Sequence, residues 1–200
     1  MKRLSRMMMP LLGVILILGG LYLAFRPQID TYFTKKENDK KIEQYESNQK
    51  KATAPQQIEI PKDKSQVAGV LSIPSVDINE PVYPGPATPQ QLERGVSFAE
   101  ENESLNDQNI SIAGHTDYSL NYQFTKLHNA KKGDEVIFTV GKDKRKYKIT
   151  SIKDVDPYAV EVLNEMKKQK QQLTLITCDG YDEKTGKWLK RSIYVAEEVA

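Results

Sequence analysis

The sequence is poor in the residues that most often carry chemistry: one cysteine, two histidines and one tryptophan in 200 positions. A lone thiol, Cys178, excludes an intramolecular disulfide and any multi-cysteine zinc site. His115 and His128 add little further capacity for metal chemistry of the His/Cys kind. An excess of one charge is also missing, since 29 Lys and Arg face 27 Asp and Glu for a formal net charge of +2. That balance does not suit a general nucleic-acid binder, so no nucleic-acid partner is expected. Long hydrophobic runs are absent except at one place. Residues 7–25 carry no charge, and as a helix at ~1.5 Å per residue they reach about 28 Å, the depth of a bilayer core.

That run is too long for the apolar part of a signal peptide and lacks a good small-residue cleavage site, so it reads as an uncleaved transmembrane anchor. Lys2, Arg3 and Arg6 in the short segment 1–6 hold the N-terminus in the cytoplasm. Arg26, Lys35, Lys36, Lys40 and Lys41 lie beyond the run, but long C-terminal domains translocate largely regardless of charge. The expected topology is single-pass, with everything after residue 26 outside the cell. Residues 26–66 are rich in Lys, Glu, Gln and Asn and read as an extracytoplasmic linker. Ile29, Tyr32, Phe33, Ile42 and Tyr45 would line a short amphipathic helix there, but a solvated spacer is the favoured reading.

Residues 67–200 make one domain's worth of chain, patterned as short β-type runs between Pro, Gly and Asn. Strands are expected over 68–73, 78–83, 110–113, 135–140, 146–155, 173–178 and 192–199. Their spacing is too short for βαβ units and favours a closed or nearly closed barrel, mainly β with short helices. Thr88-Pro89-Gln90-Gln91 is a helix start, with a capping Thr and a Pro at the first position, and Gly95 lies where that helix would stop. Helical turns are also expected near 122–128 and 157–166.

The reactive side chains sit at strand ends. Ile110-Ser111-Ile112-Ala113 alternates as a strand should, and Gly114 breaks it just before His115. Leu173-Thr174-Leu175-Ile176-Thr177 is a second strand ending in Cys178, and Lys190-Arg191 precedes a third. A thiolate attacks a carbonyl, an imidazolium protonates a departing amine and a guanidinium donates to an oxyanion, so these three would form a working set if they converged. Arg191 favours the thiolate, whereas Asp179 and apolar walls oppose it, so a bell-shaped pH–rate profile is expected. Spacing alone leaves the blander readings open: a cysteine after a strand is more often a small buried hydrophobe, and Arg191 a solvated edge charge. A thiol hydrolase and a non-catalytic surface binding module therefore remain alternatives. His128, in a polar turn, is expected at the surface.

Several longer runs go beyond pattern. They are Glu80-Pro81-Val82-Tyr83-Pro84-Gly85-Pro86-Ala87-Thr88-Pro89, Arg94-Gly95-Val96-Ser97-Phe98-Ala99-Glu100-Glu101-Asn102-Glu103, Ile112-Ala113-Gly114-His115-Thr116 and Leu173-Thr174-Leu175-Ile176-Thr177-Cys178. With the N-terminal anchor, the chain resembles the class A sortases of the staphylococcal type, membrane-anchored cysteine transpeptidases of Gram-positive cell surfaces. The resemblance implies an eight-stranded sortase-type β-barrel with His115, Cys178 and Arg191 as catalytic residues. It also implies cleavage of Leu-Pro-X-Thr-Gly (LPXTG) sorting signals between Thr and Gly, through a thioacyl-enzyme. The acyl group would pass to the amine of a peptidoglycan cross-bridge carried by lipid II, anchoring surface proteins to the cell wall. The residues matching the substrate groove are Ala87, Ala99, Ala113, Pro157, Val160, Val162, Leu163, Ile176, Trp188 and Ile193.

Glu100, Glu101, Glu103 and Asp107 crowd four carboxylates just ahead of the strand to His115. Their spacing is not that of an EF-hand, and taken alone it describes a solvated acidic loop. The resemblance implies more, namely a stabilising, non-catalytic Ca²⁺ held by Glu100, Glu103, Asp107 and Glu165, with Asn109 as a further contributor. Glu161 stands where the family pattern has glycine.

Overall fold

A computed structural model describes residues 2–51, 59–117, 122–159, 161–164, 170–182 and 184–199. Helix α1 runs from Lys2 to Lys51. Its N-terminal part is long and apolar enough to cross a membrane, and none of the apolar window is buried in the protein. Where a solvated spacer was the favoured reading, the helix continues through residues 26–51. Two causes act together. Lys, Glu and Gln are good helix formers, and the helix finds a partner surface. Asn38 and Ile42 are buried against the barrel. The Tyr45 hydroxyl donates to Ala68 O at 3.1 Å and accepts from Gly141 N at 2.7 Å. Tyr32 and Phe33, on the same helix, remain exposed.

The domain beyond is a barrel of eight described strands: β1 (Gly69–Ile73), β2 (Ile78–Tyr83), β3 (Val96–Phe98), β4 (Asn109–Ala113), β5 (Glu135–Val140), β6 (Asp143–Val155), β7 (Gln172–Asp182) and β8 (Lys187–Glu198). They close in the order β1-β2-β3-β4-β7-β8-β6-β5, with parallel pairing at β2–β3 and β4–β7 and antiparallel pairing elsewhere. Seven of these strands match expected segments; β3 was not expected because three residues are too few to show alternation. Phe98 on β3 nonetheless packs edge-to-face on Phe138 with ring centroids 6.0 Å apart. Strands β7 and β8 run further than anticipated, pairing as far as Asp182 with Lys187. Helix α2 (Pro89–Leu92) starts as its sequence requires, with Thr88 Oγ1 accepting from Gln91 N at 3.2 Å. The other two expected helical turns are short 3-10 turns, Thr125–Asn129 and Glu161–Leu163, and a further one, Pro74–Val76, follows β1.

Inside the barrel, Leu71, Ile73, Phe98, Ile110, Ile112, Phe124, Phe138, Leu173 and Leu175 are fully buried in one cluster. A second, smaller cluster lies on the other face of β7 and β8.

Candidate active site

The site is assembled by pairing between strands far apart in sequence. Strands β4 and β7 are parallel and in register from Asn109–Gln172 to Ala113–Ile176. His115 and Cys178 each come two positions after the last pair, so both emerge from the same end of the barrel. Strand β8 returns antiparallel and sets Arg191 directly across from Cys178. The three catalytic candidates therefore converge, each two positions from an apolar neighbour: Ala113 before His115, Ile176 before Cys178 and Ile193 after Arg191.

Hydrogen bonds knit this end together. Gly114 N donates to Ile176 O at 3.0 Å, extending the β4–β7 ladder by one step. Thr177 Oγ1 donates to Gly114 O at 2.9 Å, and the Thr116 and Thr177 hydroxyls lie 2.6 Å apart. Glycine at 114 is required by space: a Cβ there would meet the Phe124 ring at 2.7 Å and Val96 Cγ1 at 2.9 Å. The backbone of His115 is held on both sides, its N–H donating to Gln123 Oε1 at 2.7 Å and its carbonyl accepting from Phe124 N at 3.0 Å. Beside Cys178, Asp179 Oδ2 accepts from Ser192 Oγ at 3.1 Å and lies 3.5 Å from Lys190 Nζ. Lys190 also pairs with Asp154.

Half-burial shifts both reactive groups toward neutrality. Burial pushes the Cys178 thiol up, with the Arg191 cation pulling against it. Burial pushes His115 down, while the carboxylates of Asp117 and Glu93 act the other way. Both shifts act in favour of the thiol and the neutral imidazole and against the thiolate–imidazolium pair. Arg191 is exposed, as a group that meets an incoming ligand can be.

Of the expected groove residues, Ala99, Ala113, Val162, Leu163, Ile176 and Ile193 are brought together in the smaller apolar cluster, joined by Val155 and Val195. Ala87 is tied to it through Ala87 N to Ala99 O at 3.4 Å. Pro157 lies half-buried in the loop after β6. Trp188 stands apart from the cluster, further out on the β7–β8 hairpin, with its ring 5.1 Å from that of Tyr181. Val160 lies outside the described residues. Glu161 opens the Glu161–Leu163 turn and is exposed.

The acidic loop is likewise built in part. Glu103 Oε1 accepts from Ser111 N at 2.6 Å, while its Oε2 is buried with no hydrogen-bond partner among the described residues. Burial, with the charges of Glu100 and Asp107 nearby, pushes the Glu103 carboxyl up to about 7. The orphaned Glu103 oxygen is of the kind a hard cation satisfies, while Asp107 Oδ2 accepts from Ser104 N at 2.7 Å. Glu165 lies outside the described residues, and among the described residues no three His, Cys, Asp or Glu side chains are grouped closely enough to hold a metal ion. Asn109 is otherwise engaged: its Nδ2 donates to Val162 O and Asn164 O, and its Oδ1 accepts from Gln172 and Thr174. Its side chain thus anchors the groove turn to β4. His128 is exposed in the Thr125–Asn129 turn, with Nδ1 2.7 Å from Thr125 O.

The chain is similar to known proteins along most of its length. A profile of the sortase domain matches residues 71–199. The chain is 58% identical to Sortase A of Staphylococcus aureus over 205 residues, covering 100% of both. It is 29% identical to Sortase A of Listeria monocytogenes, over 93% of this chain and 89% of that one. Among solved structures, that of a Clostridium perfringens sortase C with a C-terminal cell wall sorting motif superposes with a TM-score of 0.60 at 27% identity, covering 80% of this chain and 86% of that one.

Proposed function

The chain belongs to the sortase family, and from that membership we propose that Cys178, His115 and Arg191 carry out the transpeptidation by which it sorts proteins to the cell wall. The observation that carries the assignment of roles is the β4–β7–β8 pairing, which delivers the three side chains to one end of the barrel. The Cys178 thiolate attacks the threonyl carbonyl of an LPXTG sorting signal. The oxyanion that forms lies within reach of the Arg191 guanidinium. Collapse breaks the Thr–Gly C–N bond, and the His115 imidazolium passes its proton to the departing glycine amine, leaving a thioester on Cys178. An incoming amine from a lipid II-borne cross-bridge attacks that thioester and loses a proton to His115, and Cys178 leaves. The new amide joins the surface protein to peptidoglycan.

The apolar cluster in which half-buried Ala99, Ala113 and Leu163 pack against buried Val162, Ile176 and Ile193 suits the Leu-Pro part of the signal, because small side chains leave room and apolar ones match it. Helix α1 holds the enzyme in the membrane, N-terminus inside, with the barrel facing the wall that receives its product. Ca²⁺ bound by Glu100, Glu103, Asp107 and Glu165 would neutralise the carboxylate cluster and tie the loop before β4 to the loop before β7. None of these groups touches the reacting bonds, so its effect belongs to substrate binding.

Mass spectrometry of the full chain in detergent with an LPXTG peptide tests the chemistry. A thioacyl adduct on Cys178 and, with triglycine, a peptide–triglycine product are expected. Hydrolysis alone with triglycine in excess would overturn the transferase reading. Calorimetry tests the metal: Glu103→Gln, which keeps an acceptor for Ser111 N, should weaken Ca²⁺ binding about tenfold or more. Unchanged binding by that variant would remove Glu103 from the site.

A further inference from the structure

Strand β2 carries a carboxylate where its pattern calls for a hydrophobe. Ile78 and Val82 belong to the barrel core, and Glu80 falls between them in the same alternating row, 7% exposed. Both of its oxygens are taken. Oε1 accepts from Gln123 N at 2.9 Å, and Oε2 accepts from Asn38 Nδ2 of α1 at 2.7 Å. Gln123 is buried and has φ of +48°, a left-handed conformation that is unfavourable for glutamine and must be held by its surroundings. Its side chain reaches two ways: Nε2 donates to Leu92 O at 2.6 Å, and Oε1 accepts from His115 N at 2.7 Å. A continuous chain of hydrogen bonds thus runs from the membrane-proximal helix to the backbone of His115.

We propose that Gln123 and Glu80 are positioning residues for His115, and that Asn38 completes them, so that docking of α1 on the barrel helps set the histidine. The inference rests on the acid–base role given to His115. Glu80 fixes the strained Gln123 backbone, Gln123 fixes the His115 N–H, and Asn38 satisfies the second oxygen of a carboxylate that burial would otherwise leave exposed to a desolvation cost. Burial pushes Glu80 up to about 7, and the charges that bear on it, Asp39, Lys41 and Lys35, all lie on α1. Other contacts hold the same interface: Lys35 pairs with Asp77 at 3.8 Å, and Lys41 Nζ lies 5.9 Å from the Tyr83 ring centre. An ordinary packing role would be met as well by an apolar residue at 80, without a buried carboxylate shared between helix and barrel.

The test uses the full chain in detergent micelles, with peptide cleavage measured as kcat and KM, thermal melting, and the His115 amide and ring resonances by NMR. Glu80→Ala and Gln123→Ala should each lower kcat about tenfold while KM stays within about twofold, because misplacement of an acid–base group falls on the chemical step. Glu80→Gln keeps an acceptor for Gln123 N and should recover kcat to within about threefold. Asn38→Ala, a change outside the barrel, should shift the His115 resonances and lower kcat about twofold. His115→Ala is the control: if it retained activity, the acid–base reading would fail and not this one. With that control inactive, the proposal is overturned if Glu80→Ala keeps kcat, or if Asn38→Ala leaves the His115 resonances unmoved. The Asn38 arm decides the matter even if Glu80→Ala does not fold.

Discussion

Strands β7 and β8 present two faces that differ in how they are filled. Leu173, Leu175, Tyr194 and Ala196 enter the barrel interior, where Phe98, Phe124, Phe138 and Tyr147 leave almost no accessible surface. Ile176, Ile193 and Val195 turn the other way, toward Val162 and the half-buried Ala99, Ala113, Val155 and Leu163. The first face is closed by large rings and holds the fold together. The second is lined by small and branched side chains, is only partly covered, and leads two positions on to Cys178 and Arg191. The same ladder thus provides stability on one side and a substrate floor on the other, so that changes on either face should separate activity from stability.

The sharpest separation is expected at the nucleophile. Cys178→Ala should abolish cleavage and the thioacyl adduct while melting within a degree or so of the native protein, since it removes one half-buried sulfur; residual turnover measured with the LPXTG peptide would break the comparison. The converse change is Phe138→Ala in the interior. It should cost about 3–5 kcal/mol in denaturant unfolding, far more than any catalytic substitution.

Arg191 sharpens the electrostatic side. Its cation opposes the burial that pushes the Cys178 thiol up, so Arg191→Ala should move the basic limb of the pH–rate profile to higher pH. The acid limb, set by the lowered His115, should stay in place. Arg191→Lys should keep both limbs and still lose kcat about tenfold to a hundredfold, because a point charge cannot replace an oriented pair of donors. At the small end, His128→Ala should leave kcat/KM and melting unchanged within error, since the residue is exposed on a surface turn, with Nδ1 2.7 Å from Thr125 O.

Much of the site was legible in sequence because the reactive residues punctuate alternating runs. Ile110-Ser111-Ile112-Ala113-Gly114-His115 and Leu173-Thr174-Leu175-Ile176-Thr177-Cys178 show a strand and its end without any tertiary information. The positioning residues were not legible in the same way. Glu80 gave one signal, a carboxylate in the row of Ile78 and Val82, but its meaning depends on Asn38 and Gln123, each about forty residues away. Asn109 entered through the family resemblance as a carbonyl or side-chain contributor to a metal, and only the fold shows that its side chain bonds the groove turn, Gln172 and Thr174.

Local order therefore lay in the sequence alone: the apolar run of residues 7–25, the Thr88-Pro89 helix start, seven of the strands, and a single thiol that left few choices of nucleophile. These are decided by residue type and period within a few positions. Tertiary structure alone decided that β4 lies parallel to β7, that the barrel closes through β3, and that residues 26–51 stay helical by docking on the barrel. Each of those depends on contacts between segments tens of residues apart, where the surface buried by the partner outweighs the local preference of the chain.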